Sequence, residues 1–177
     1  MSRIGEFMAR LRHQFLADRV PYTPRKVVNY AEARHIGVLF MARQEEDFPV
    51  INRFVSQLQK DNKQLTLLTY LDKISSNPYH FRYEVFTRQH ISTLGKIKSA
   101  EVNQFVYGRF DFLFCLNTES FALFEWIMNH SQAKCRIGPY FPGQEQGYEI
   151  MIQLPEGASL GLLSEQMFVY TKALNTN

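Results

Sequence analysis

The sequence predicts a three-layer α/β fold built on an open, mostly parallel sheet. Short apolar runs without alternation, such as His35–Met41 and Phe110–Leu116, are what strands covered on both faces look like. Between such runs stand segments whose apolar residues repeat at helical spacing, so strands and helices alternate. The first strand, helix and strand fit within about 35 residues, the span of a βαβ unit, whose crossover is expected to be right-handed.

The chain opens with an amphipathic helix over residues 2–19. Ile4, Phe7, Met8, Leu11 and Phe15 make one apolar stripe, and Ser2 is placed to cap it. Pro21 and Pro24 then hold an extended linker, because each proline restricts itself and the residue before it. After the strand at 35–41, Asp47 is expected at a helix cap with Pro49 in the first turn. Val50, Ile51, Phe54, Val55 and Leu58 continue that helix, and the acidic run Glu45–Asp47 suits the positive end of its dipole. Gln64–Tyr70 follows as the second strand. A loop at 72–80, with Ser75, Ser76, Asn77 and Pro78, leads to a weaker strand at 81–87, where Arg82 and Glu84 point to a sheet edge.

Ser99 is placed to cap a short helix ending near Tyr107, with Gly108 expected to close it in a left-handed conformation. Phe110–Leu116 is the strongest strand. The helix at 120–129 is apolar nearly all round, which predicts deep burial or a covering element. Strands at 133–138 and 148–154 flank a loop containing Pro139, Pro142, Gly143 and Gly147. Leu160, Leu163, Met167, Tyr170 and Leu174 mark a C-terminal amphipathic helix. The pattern reads as a Rossmann-like or flavodoxin-like sheet, with residues 1–34 a basic helix and linker and residues 35–177 a single α/β domain.

Composition narrows the function classes. With 45% apolar and 21% charged residues, the 177-residue chain is ordinary globular material with length for one substantial core. No apolar run approaches the ~20 residues of a membrane span. Arg3, Glu6, Arg10 and Arg12 interrupt the N-terminal apolar residues, so no secretory signal is expected. Cys115 and Cys135 both fall in apparent buried strands, which suits a reducing cytoplasm, the expected location. Of the net charge of +3, the excess sits in residues 1–34, with seven Lys/Arg against three Asp/Glu. The basicity therefore belongs to that segment, and specific nucleic-acid binding is not expected.

Catalytic motifs are missing. Gly95-Lys96 lacks the following Ser or Thr and the upstream glycine of a phosphate loop, and Met41-Ala42-Arg43 replaces a dinucleotide glycine turn. The five histidines are scattered without Cys/His clustering, so no metal or cofactor is expected. There is no G-x-S-x-G elbow, and burial in an apolar strand is expected to silence Cys115 as a nucleophile.

What remains is location. Ligands of open parallel sheets bind beyond the strand carboxyl ends, where the strand order reverses. Those ends carry Arg43 and Gln44, Asp72 and Lys73, Asn117 to Glu119, and Arg136 with Gly138. Polar residues also stand there simply as caps and turns. Asn117, Thr118 and Arg136 are the candidate ligand site, a helix start holding an anion with the arginine pairing to it. The N-terminal helix offers a second reading. Arg3, Arg10 and Arg12 flank its stripe, as in helices that lie on an anionic membrane or dock on a protein partner or second copy, although such stripes more often cover a core.

The stretch Thr93–Val102, the Phe110-Asp111-Phe112-Leu113 strand and Ala133-Lys134-Cys135-Arg136-Ile137-Gly138 together resemble a family of small uncharacterised bacterial proteins with a domain of unknown function. That resemblance implies no catalytic residues. Phe110–Gly138 is also similar to part of the N-terminal half of heptosyltransferase-type glycosyltransferases. Those enzymes need a second Rossmann-like domain for the nucleotide sugar, so this likeness supports fold more than activity. The expected function is a non-catalytic binding or interaction module of the bacterial cytoplasm. The alternative is a transferase-like protein taking a small anionic ligand, nucleotide or phosphosugar-like, at the strand carboxyl ends.

Overall fold

A computed structural model describes residues 25–42, 45–71, 82–92 and 96–174. The expected N-terminal helix lies outside the described residues, as do Arg43, Gln44, Asp72 and Lys73. The strands are β1 (His35–Phe40), β2 (Gln64–Tyr70), β3 (Glu84–Phe86), β4 (Phe112–Leu116), β5 (Arg136–Pro139) and β6 (Ile150–Ile152). The helices are α1 (Asp47–Lys60), α2 (Ala100–Val106), α3 (Ala122–His130) and α4 (Leu160–Ala173). They form one sheet in the order β3-β2-β1-β4-β5-β6 with every neighbouring pair parallel. That is the doubly wound Rossmann order rather than the flavodoxin one, and it reverses between β1 and β4.

Two cores lie on opposite faces. Ile51, Phe54 and Leu58 of α1 and Leu163 and Met167 of α4 pack on Val38, Phe40, Phe112, Phe114 and Ile137. Val102 and Phe105 of α2 and Leu123, Phe124 and Ile127 of α3 pack on Leu39, Leu68, Leu113 and Cys115. Successive residues of β1 and β4 thus enter different cores, and both cores are apolar, which is why these strands show no alternation. The faces also follow from topology. The order runs one way from β1 to β2 and the other way from β4 to β5, so crossovers of one hand put α1 and α3 on opposite sides.

Local differences from the sequence reading have physical reasons. Ser99 caps α2 as expected, its Oγ accepting from the Val102 amide at 3.1 Å. Gly108, however, is not left-handed; a Cβ there would fall 2.5 Å from Cζ of Phe110, so close ring packing requires the glycine. Glu46, without a side-chain cap bond, precedes α1, and Asp47 lies in the first turn. Along α4 the buried row is Leu160, Leu163, Ser164, Met167 and Thr171, while Tyr170 is exposed. A 3-10 turn at Glu145–Gly147 links β5 to β6. The domain's packing also reaches upstream of residue 35: Tyr30 and Ala33 are buried in the α1/α4 core, and Val27 and Val28 pack against it.

Candidate functional site

The reversal between β1 and β4 directs attention to their carboxyl ends. After Leu116, residues 117–121 turn the chain into α3. Asn117 is buried and its Nδ2 donates to the Glu119 carbonyl, a local bond that fixes the turn. Thr118 stands half-buried beside it. Phe121 occupies the N-cap of α3 in an extended conformation with no side-chain cap bond, since a phenyl ring has no acceptor. The helix start therefore keeps its partial positive charge toward the crevice. Gln144, arriving from the β5 exit, donates to the Ser120 hydroxyl at 2.6 Å and ties the two turns together.

Aromatic and apolar residues surround this turn. Tyr70, at the end of β2, lies 5.3 Å from Phe86 and 5.1 Å from Phe121, centroid to centroid. Met41, Tyr70 and Phe121 are only partly buried and close the carboxyl edge of the α2/α3 core. The result is an apolar shelf beside a short polar turn.

Arg136 is not part of that arrangement. The structure starts β5 at Arg136 rather than at Ala133, and Leu113 of β4 is its register partner. Asn117 stands four residues further along, roughly 13 Å toward the other end of the sheet. At the amino end the Arg136 guanidinium is fully engaged. It donates twice to the Glu149 carboxylate, at 3.0 and 2.7 Å, and to the carbonyls of Met128 at 2.8 Å and Gln146 at 3.0 Å. The structure thus brings Asn117 and Thr118 together and leaves Arg136 elsewhere.

The amino end collects further charged residues, each used to fasten chain segments. Arg25 donates to the Ser131 carbonyl at 2.8 Å and to the Ala133 carbonyl, and pairs with Glu149 at 3.4 Å. Asp111 accepts from the amides of Arg34 at 2.7 Å and His35 at 3.0 Å and from Lys134 at 2.7 Å. Burial works to raise its pKa, but these three bonds and the lysine charge win, and the carboxyl is held below its usual range. The Phe-Asp pair met in the sequence is therefore a strand clamp.

Nearby, Lys63 donates to the Tyr30 and Ala33 carbonyls at 2.6 and 2.7 Å. The Tyr30 hydroxyl donates to Asp61 at 2.7 Å, and Lys172 pairs with the same carboxylate at 3.0 Å. These groups line an open cleft of about 550 Å³ with Asn29, Ala31 and Leu174. Asp61 is also held below the carboxylate range: burial opposes this, and the bonds from Tyr30 and Lys172 overcome it. The polar groups of this cleft answer one another, which fits a fastening for residues 29–33 better than a ligand site.

Cys115 and Cys135 are free and buried, one in each core, and burial pushes both thiols up to about 12. Among the described residues no cluster of three His, Cys, Asp or Glu could hold a metal ion. Among them, too, no helix is long and apolar enough to cross a membrane.

A family model described as a family of unknown function (DUF6913) matches residues 10–174. The chain belongs to that family. No curated protein and no solved structure matches it. The matched span takes in the carboxyl-end turn, the amino-end clamps and the whole of α4. Sequence reasoning missed Asp111, Glu149, Arg25 and Lys63. The signal for Asp111 was present, as a carboxylate directly before an apolar strand. Glu149 and Arg25 gave none, because their partners are set by the spatial order of the strands.

Proposed function

We propose that the domain is a non-catalytic binding module of the bacterial cytoplasm that receives a small ligand at the carboxyl ends of β1 and β4. One observation carries this reading: at the switch point an α3 start without a side-chain cap meets Asn117 and Thr118, next to partly buried Met41, Tyr70 and Phe121. A helix start favours an anionic group and the shelf favours a planar apolar one. A nucleotide-like ligand supplies both. A phosphosugar supplies the anion alone, and the heptosyltransferase-type likeness of Phe110–Gly138 keeps it on the panel to be tested. The missing glycine turn and the distant Arg136 argue against tight phosphate clamping, so weak binding is expected. The two buried free thiols support the reducing compartment.

A thermal-shift panel of nucleotides and phosphosugars tests the reading. A ligand at about 100 times its Kd adds roughly 2.7 kcal/mol, several degrees of Tm for a domain of this size. Thr118→Val is expected to abolish the shift while leaving the unliganded Tm within about 1 °C. NMR of the same mixtures should show the ligand unconsumed. A panel with no shift, or a shift that Thr118→Val leaves intact, removes the site; turnover removes the non-catalytic reading.

A further inference from the structure

The buried row of α4 is matched by a second apolar row on its outer side. Val169 and Tyr170 are 59% and 50% exposed, and Leu162, two turns earlier on the same side, is partly buried. A helix apolar on both sides is normally covered on both. We propose that the N-terminal stripe of Ile4, Phe7, Met8, Leu11 and Phe15 docks along this outer face of α4, as a further helix of the same domain.

Three observations name this occupant. The first is where the described chain begins. Arg25 is fixed at the amino ends of the strands by Ser131, Ala133 and Glu149, and Val27 and Val28 pack in the core that α4 covers. Tyr30 then lies beneath Lys172 in the last turn of α4, with the ammonium 5.3 Å from the ring centroid. Arg25 thus stands at the amino ends of the strands, the end of the sheet that also holds the last turn of α4.

The second is length. From Phe15 to Arg25 an extended chain reaches roughly 33 Å, more than the roughly 21 Å of the 14-residue α4. The Pro21–Pro24 stretch favours such extension. The third is the extent of the family match, which begins at residue 10 and so includes Leu11, Phe15 and the linker in the domain unit. Charge agrees: Glu165, exposed between Leu162 and Val169, is opposite in sign to the arginines that flank the stripe in the sequence.

Disulfide trapping in the full chain tests the proposal directly. Val169→Cys is combined in turn with Phe7→Cys, Leu11→Cys and Phe15→Cys, and the two buried native thiols stay unreactive while the protein is folded. At least one pair is expected to oxidise within a single chain, giving a faster-running monomer on a non-reducing gel. Dimer bands alone would place a second copy on α4, and no cross-link at all would leave the face bare; either result overturns the proposal. As a second readout, Val169→Asp with Tyr170→Asp is expected to speed tryptic cleavage after Arg10 and Arg12 roughly tenfold while the core stays resistant. Unchanged cleavage overturns it. So does protection of those sites by phosphatidylserine vesicles that persists equally in the double variant, since lipid then holds the stripe.

Discussion

Arg136 shows how a residue with a ligand-binding chemistry is consumed by structure. Its guanidinium satisfies the carbonyls of Met128 and Gln146 and both oxygens of Glu149, joining the end of α3 to the turn and segment that lead into β6. Arg136→Ala would leave that carboxylate and those carbonyls poorly paired, at a cost of about 3–5 kcal/mol. The measurement is the urea midpoint, which should fall strongly with little change in slope. Arg136→Lys should recover only part, because a point ammonium cannot form the planar double bond to the carboxylate. Asp111 makes an equally specific statement about pH. Its carboxyl is held low in the folded protein, so its contribution is complete above the unfolded carboxyl value of about 3.9 and drains away as pH falls through the lower folded value. Stability curves of wild type and Asp111→Asn should therefore lie apart by about 2–4 kcal/mol at pH 6 and draw together as the pH falls through the lowered carboxyl value. Equal separation at every pH would mean that the charge is irrelevant. At this scale the sequence was only half legible. Asn117 and Thr118 stand at the strand exit because a long apolar run ends there, whereas the fate of Arg136 depended on where β5 starts and on a glutamate thirteen residues away.

Elements were easier to read than their ends, since periodicity reports a buried face while terminations depend on single contacts. β3 falls at the sheet edge, as the exposed Arg82 and Glu84 foretold. The helix expected at 120–129 is buried on most sides because the Glu145–Gly147 turn packs on it as well as the sheet. Around α4 the reading erred by one residue, taking Tyr170 for the buried row when Thr171 occupies it, with its hydroxyl donating to the Met167 carbonyl at 2.6 Å. A threonine that satisfies itself within the helix can be buried at little cost, and polarity alone hides this. Gly108 and Gly143 separate two reasons for glycine. At Gly143 the backbone φ is +81° with nothing within 4 Å of an added Cβ, so Gly143→Ala carries only the left-handed penalty of about 1–2 kcal/mol. At Gly108 the obstacle is the Phe110 ring, so Gly108→Ala is expected to cost about 1–3 kcal/mol by overpacking. Phe110→Leu should therefore relieve the Gly108 variant and leave the Gly143 one untouched. A double-mutant cycle with equal coupling at both positions would reject this distinction.

At the scale of the whole molecule, one sheet divides two cores, and the question is whether they melt together. The doubly wound order was foreshadowed by alternating strands and helices, but the choice against the flavodoxin order was not, because spatial strand order leaves no mark in any single segment. The two thiols can report on cooperativity. Cys135 belongs to the α1/α4 core and Cys115 to the α2/α3 core, and both are buried with pKa values raised to about 12, so neither reacts from the folded state. Each must wait for an opening that exposes it. The strands β1 and β4 contribute to both cores through alternate residues, so loss of one core removes packing from the same strands that hold the other. The expected result is that the single-thiol variants Cys115→Ala and Cys135→Ala, corrected for their own stabilities, label with a disulfide reagent at equal opening free energies. That common value should match the global one from urea unfolding. If the thiol of Cys135 labels well before that of Cys115, the α1/α4 face opens as a unit of its own, which would place the docked helix proposed above on the less stable side of the sheet.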